Sequence, residues 1–457
     1  MTTTSADLET PSASRLGPRR WAVLALVGLV GQIAWTVENM YLNVFVYDTI
    51  TDDPAVLAAM VAASAASATI ATLVVGAWSD RLGRRRVFVA GGYVLWGLST
   101  AAFGLVTVEG HAGAASVAGA VTLAVLTVIV LDCLMSMLGS GANDAAFNAW
   151  VTDVTDTTNR GRVEAVLAAL PLLSMLLVFG VLDGLTRAGE WRTFFLTIGI
   201  AIVIVGVVAW FLMRDASTPQ RQSDGVWRAI AYGLRPSTIR ANPALYLTFA
   251  AWAVFGISTQ VFLPYLIIYL QRTLRIDGYA LVLGVVLLGA SVVSIVGGRV
   301  IDRVGKVRSI MPALAIYLIG LVLMAFVRDI TWVIIAGLAM MSGFMLVVAA
   351  VGAASRDATP RDRAGSVQGL RMIFAILIPM VIGPFIGAAI ISGAGETYAE
   401  LGVVKQVPTA GIFIGAAVVA VLVVVPTIAL LRRERRAQGQ PPQTPQEPQQ
   451  TTEAGQE

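Results

Sequence analysis

Apolar stretches of about 20 or more residues, each bounded by charges or by Gly and Pro, recur twelve times along the chain. The first six run roughly over 21–47, 54–78, 86–107, 118–150, 162–185 and 192–213. The second six run over 245–270, 278–301, 308–327, 331–355, 364–393 and 409–431. Runs of this length predict membrane-crossing helices. The fourth is long enough to predict a tilt or a break near Gly139 and Gly141. Pro379, Gly383, Pro384 and Gly387 predict a bendable eleventh span. The pattern divides the chain into an N-terminal tail (1–20), six spans (21–213), a linker (214–244), six more spans (245–431) and a C-terminal tail (432–457).

The polar interruptions are not random. GAWSDRLGRRR, from Gly76 to Arg86, recurs as GRVIDRVGKVR from Gly298 to Arg308, so Gly76, Asp80, Arg81, Gly83, Arg84 and Arg86 find Gly298, Asp302, Arg303, Gly305, Lys306 and Arg308 at one offset. The first spans of the two halves match at the same offset, pairing Glu38 with Gln260 and Tyr47 with Tyr269. A Gly on the helix face permits close helix approach, and an Asp at a helix end faces the positive N-terminus of a neighbour. Gly83 permits a tight turn, while the arginines stay in water and headgroups.

This repeated loop resembles the signature of the major facilitator superfamily, which lies between helices 2 and 3 and, in weaker form, between helices 8 and 9. The resemblance covers the chain from about Arg19 to Arg436. It implies an all-α membrane protein with twelve transmembrane helices in two pseudo-symmetric six-helix bundles, alternating access, and a central cavity lined by helices 1, 4, 7 and 10. It also implies a gate of charges, in which Asp80 and Arg84 meet Asp153 and are echoed by Asp302, Lys306 and Asp357, with Arg81 and Arg303 beside them. Such a gate favours the outward-facing state. Span four lacks the Arg, and span five the Gly-Pro motif, that mark the drug exporters of this superfamily. ENMYLNVFVYD is distantly similar to its glycoside and cation symporters, but span two has no acid pair to hold sodium.

Composition agrees with a multispanning protein: 57% of residues are hydrophobic and 13% charged. With both termini in the cytoplasm, inside segments carry 24 of the 32 Lys and Arg residues and outside loops six, so the positive-inside rule places the termini there. The polar first twenty residues and the length of the apolar run after them predict no cleavable signal peptide. Basic loops account for the net charge of +4 without nucleic acid, and the lone Cys133 excludes an internal disulfide. His111 reads as a solvated loop residue. Within the linker, Trp227, Ile230, Ala231 and Leu234 fall on one helical face beside Arg228 and Arg235, fitting the headgroup plane. The Gln- and Pro-rich C-terminal tail predicts disorder.

Charged residues inside a bilayer are costly, so each is a functional candidate. Glu38 in span one and Asp132 in span four are the deepest acids, and Asp144 and Arg371 complete the set considered. A carboxyl there can exchange a proton against a bound solute, which proton coupling requires. Gln32, Trp35, Asn39 and Asn43 form a stripe along span one that suits a hydroxylated solute, with Gln260 and Tyr265 as counterparts on span seven. Helix-gluing amides and a Glu38–Arg371 ion pair are the competing expectations. No metal cluster, nucleophile with a base, or phosphate-cradling loop is recognisable, so neither an enzyme nor a cofactor is expected. The reading is a monomeric, proton-coupled secondary transporter of the inner or plasma membrane. Its substrate is a small polar organic solute, with a sugar or glycoside preferred. Multidrug or metabolite efflux by antiport is the alternative, and a non-transporting receptor or scaffold is the alternative of another class.

Overall fold

The computed structural model describes residues 16–111, 116–155, 159–215, 235–359, 369–400 and 403–438. Among these, twelve helices are long and apolar enough to cross a membrane. Spans 1 to 6 are Pro18–Thr49, Pro54–Leu82, Arg85–Leu105, Val117–Val154, Val166–Arg187 and Trp191–Leu212. Spans 7 to 12 are Pro243–Thr273, Tyr279–Val304, Lys306–Phe326, Ile330–Asp357, Gly369–Ala394 and Gly411–Arg436. The helix of span 12 runs on to Gln438, into the segment expected to be disordered. The linker stripe at Trp227, Arg228, Ile230, Ala231 and Leu234 lies outside the described residues.

Local chemistry sets the helix ends. The Asp53 carboxylate accepts the Ala55 N–H at 2.8 Å ahead of Pro54, which needs no N–H bond in the first turn. Gly83 closes span 2 at φ 63°, a left-handed geometry that a Cβ would strain.

Packing follows the sequence repeat. Spans 1·5, 2·4, 3·6, 1·6 and 3·4 touch in the first half, and the same pairs shifted by six, 7·11, 8·10, 9·12, 7·12 and 9·10, touch in the second. The halves meet through spans 2·11 and 5·8, themselves symmetry mates. At the crossing of spans 3 and 6, a Cβ on Gly97 would stand 2.5 Å from the Gly199 carbonyl oxygen, and one on Gly199 2.6 Å from that of Gly97. Small residues here let two backbones approach.

Several spans change pitch instead of breaking. Span 1 passes through a π turn at Val37–Tyr41, span 4 through a longer one at Ser140–Phe147, and span 11 through one at Ile373–Leu377 before Pro379. The break expected near Gly139 and Gly141 is therefore a π segment within a continuous helix. Such segments re-aim side chains and are frequent at functional sites.

Hydrogen bonds between described residues of the two halves cluster at the end away from the termini. A short antiparallel hairpin, Thr397–Glu400 with Val403–Gln406, follows span 11 where the sequence reading placed no element. It grips the far end of span 1. The Gln406 N–H donates to Asp52 at 2.5 Å, Tyr47 donates to the Gln406 carbonyl at 2.7 Å, and Lys405 Nζ donates to the Asp48 carbonyl at 3.1 Å. Arg272 of span 7 pairs with Asp48 at 2.7 Å. The Tyr265 hydroxyl lies between the Pro54 and Pro384 carbonyls, at 3.1 and 2.9 Å.

Candidate functional site

Span 4 carries Asp132, Ser136, Ser140 and Asp144 at intervals of four, hence on one helix face. The Ser136 hydroxyl donates to Glu38 Oε1, and Ser64 of span 2 lies beside the Asp132 carboxyl. Glu38 sits in the π turn of span 1, which helps set its direction. Both carboxyls are buried, and Glu38 Oε2 and Asp132 Oδ1 have no hydrogen-bond partner. Lower on the ladder, Asp144 accepts from Ser140 at 3.1 Å and from the Asn143 amide at 3.2 Å, with Trp35 alongside. No ion pair reaches these three acids among the described residues. An orphan buried carboxyl oxygen is costly, and a proton or a ligand donor relieves that cost.

Glu38, Ser140 and Asp144 open on a cavity of about 240 Å³, with Asp132 and Ser136 buried behind its lining. Trp35, Glu38, Asn39, Ser64, Ser140 and Asp144 form one wall, and Met372, Ile376 and Met380 of span 11 stand opposite. A side cavity of about 300 Å³ shares Asp144 and adds Gln32, Asn143 and Asn148. The expected stripe on span 1 is thus split. Trp35 and Asn39 line the central cavity, and Gln32 faces the side cavity. Asn43 is buried outside both. Asn39 also donates to the Trp35 carbonyl at 2.8 Å, the local bond open to an amide in a helix.

On the second half the expected contacts fall elsewhere. Tyr265 belongs to the seal between spans 7, 2 and 11, and Gln260 packs against Gly383 of span 11. Arg371 does not meet Glu38. Its guanidinium lies over the Trp252 ring, 4.9 Å from the centroid.

At the terminus-bearing end, the arginine that joins Asp80 and Asp153 is Arg85, at 2.5 and 3.1 Å, with Ser79 at 2.7 Å. Arg84, expected in that role, is exposed, as are Arg81 and Arg303. Arg85 is the first residue of span 3, so its side chain turns back beneath span 2. The triad lies within the first half, where a Cβ on Gly76 would sit 3.8 Å from the Ala145 Cβ on span 4. In the second half Lys306 pairs with Asp357 at 2.5 Å. Asp302 and Lys306 line a surface cleft of about 510 Å³, and Gly298 stands one turn before Asp302 in open space.

Sequence reasoning passed over one buried acid, Asp183 of span 5. It accepts the Tyr41 hydroxyl at 3.0 Å and the Tyr279 hydroxyl, and pairs with Arg187 at 2.9 Å. Spans 1, 5 and 8 therefore meet on one carboxylate. The rule that flagged Glu38 flags Asp183 as well. The four-residue spacing of Asp132, Ser136, Ser140 and Asp144 was equally open to inspection.

The twelve-span fold is shared with solved transporters. A mutant of the nucleoside transporter NupG superposes with a TM-score of 0.68 at 12% identity, covering 89% of this chain and 98% of its own. A bacterial homologue of the human lysosomal transporter Spinster, inward-facing and unoccupied, superposes at 0.65 and 14% identity, covering 92% and 98%. Among curated protein sequences none matches. At these identities the likeness shows the fold alone. The family model for the Major Facilitator Superfamily matches residues 24–374 and again 259–456. With that match over nearly the whole chain and the twelve-span fold beneath it, the protein belongs to the Major Facilitator Superfamily of membrane transporters.

Proposed function

We propose that the protein is a proton-coupled carrier of a small polar organic solute, with Glu38 and Asp132 as the coupling pair. The observation that carries this reading is the pair itself: two buried carboxyls from spans 1 and 4, Glu38 bonded by Ser136 one turn along span 4 from Asp132, each with an oxygen left without a partner. A proton on one carboxyl and a hydroxyl donated by the solute to the other satisfy both oxygens together, so each favours the binding of the other. In the cycle we envisage, a proton on the pair permits the solute to bind and the halves to rock. Its loss to the other side resets the carrier.

Trp35 offers a flat apolar face and Asn39, Ser64 and Ser140 offer hydrogen bonds, a combination that suits a sugar or glycoside. A nucleoside, the solute class for which the transporter NupG is named, shares that chemistry. The excess of Lys and Arg in the segments on the terminus side favours a cytoplasmic location for both termini, in an inner or plasma membrane. The seal at the far end then makes this conformation inward-facing. The cavity lies within one chain, which favours a monomeric carrier.

One observation favours a second reading, export of lipophilic cations by proton antiport. The wall opposite the acids is Met372, Ile376 and Met380, apolar and adaptable. Liposomes with a trapped pH dye separate the two. The proposal expects proton uptake on addition of a sugar, glycoside or nucleoside. Proton movement triggered only by lipophilic cations supports the second reading, and no movement with any solute contradicts both.

A further inference from the structure

The mouth of the second half holds a charge arrangement that the proton pair does not use. Arg371, half-buried at the start of span 11, lies over the buried Trp252 ring of span 7, 4.9 Å from its centroid. Arg356 stands on span 10, one turn after Gly352. A Cβ on Gly352 would touch the far edge of the Trp252 indole at 3.5 Å and Arg356 Nη1 at 3.9 Å. The Arg356 guanidinium and the edge of the indole thus border one point beside Gly352. One guanidinium therefore lies over the face of the Trp252 indole and the other towards its far edge. Neither has an acidic partner within ion-pair distance among the described residues, because the neighbouring Asp357 is committed to Lys306 at 2.5 Å. Two like charges held together without a counter-ion repel, and an anion between them reverses the sign of that term.

From this arrangement we infer an anion-binding subsite formed by Arg356, Arg371 and Trp252, taking a carboxylate or phosphate group. Guanidiniums bind both groups through paired N–H donors, and the indole fixes the plane of Arg371 beforehand. Met372, next in sequence to Arg371, lines the central cavity, so an anion held here adjoins the space where a solute would bind. The acids would then lie on one half and the cations on the other, an arrangement fit for a hydroxylated solute with one anionic substituent. An anionic lipid headgroup is the other source of the same chemistry. The subsite does not depend on the proton-coupled reading, because it is tested at equilibrium without a gradient.

The experiment uses the full chain in nanodiscs of zwitterionic lipid, titrated with glucuronate, glucose and inorganic phosphate by calorimetry. Glucuronate should bind about tenfold or more tightly than glucose, and Arg371→Gln or Arg356→Gln should remove that preference. Arg371→Lys should keep part of it, showing that charge and not packing is at stake. Native mass spectrometry of protein extracted from membranes with anionic lipid covers the second source, expecting retained anionic lipid that Arg371→Gln releases. Thermal unfolding of each variant without ligand checks that it folds. If neither a soluble anion nor an anionic lipid distinguishes the wild type from Arg371→Gln, the subsite is excluded. A preference unchanged in both Gln variants excludes it as well.

Discussion

Arg272 of span 7 and Asp48 of span 1 form an ion pair at 2.7 Å across the interface of the two halves, with the hairpin after span 11 packed over them. The Arg272 guanidinium also donates to the Tyr398 hydroxyl of that hairpin at 3.0 Å. The far end is thus held by side chains from three segments distant in sequence. Any opening there must break this pair and the hairpin contacts together.

The pair is partly exposed, with side-chain accessibilities of 24% and 18%, so its contribution is modest. Arg272→Ala should weaken closure by about 1 kcal/mol, a shift of about fivefold between conformers. Labelling of an engineered cysteine in the cavity from the far side should rise accordingly. Conversely, Asp52→Cys with Gln406→Cys should cross-link under oxidation and stop transport, with recovery on reduction. Transport that continues in the cross-linked protein would show that this end does not move.

Asp183 is fully buried where spans 1, 5 and 8 converge. Tyr279→Phe removes one donor to its carboxylate, and Tyr41→Phe another. Each should lower stability by about 1 to 3 kcal/mol, because a buried acceptor loses its partner. Thermal unfolding in detergent measures this. Asp183→Asn should cost less, since an amide oxygen in the Oδ1 position still accepts from both tyrosines and only the pairing with the half-exposed Arg187 is lost.

Arg85 and Arg84 differ sharply despite being neighbours. Arg85 is 3% exposed and bridges Asp80 and Asp153, whose side chain is 4% exposed. Arg85→Ala strands those carboxylates and should destabilise the protein by about 3 to 5 kcal/mol. Arg84→Ala should be nearly silent, within about 0.5 kcal/mol. Equal effects would contradict the assignment of the bridge to Arg85.

Gly97 and Gly199 face each other's carbonyl oxygens at the crossing of spans 3 and 6. Gly97→Val leaves no room for the side chain without moving a backbone. A loss of about 2 kcal/mol or more, with poor expression, is expected. Gly91, which would meet nothing within 4 Å, is the control: Gly91→Ala should be tolerated.

The architecture was legible because it is written twice. One offset aligns the loop at Gly76 with that at Gly298, and contacts between spans repeat in the same way. The offset also misled. It pairs Arg84 with Lys306, whereas what matters is which residue begins the next helix. Arg85 and Lys306 both do so, and each reaches an aspartate near the end of the fourth span of its half. A one-residue difference in the connecting turn is invisible to a pattern match.

The candidate acids were legible as charges in apolar spans, but their environment was not. That Ser136 reaches Glu38 depends on the π turn that carries Glu38, which no periodicity of 3.6 encodes. The stripe from Gln32 to Asn43 scattered for the same reason. The inserted residue in the turn at Val37–Tyr41 rotates the far part of span 1, leaving Asn43 buried away from the cavities. The hairpin escaped notice because its two four-residue strands are held by contacts to Asp52 and Tyr47, some 350 residues earlier in the chain.

The central claim is that Glu38 couples proton movement to solute movement. The direct measurement compares two assays on Glu38→Gln in proteoliposomes: accumulation of the solute under an imposed pH gradient, and exchange of labelled for unlabelled solute without one. The account predicts that gradient-driven accumulation is lost while exchange continues, because the neutral side chain mimics the permanently protonated pair. Accumulation that persists at the wild-type level would contradict it.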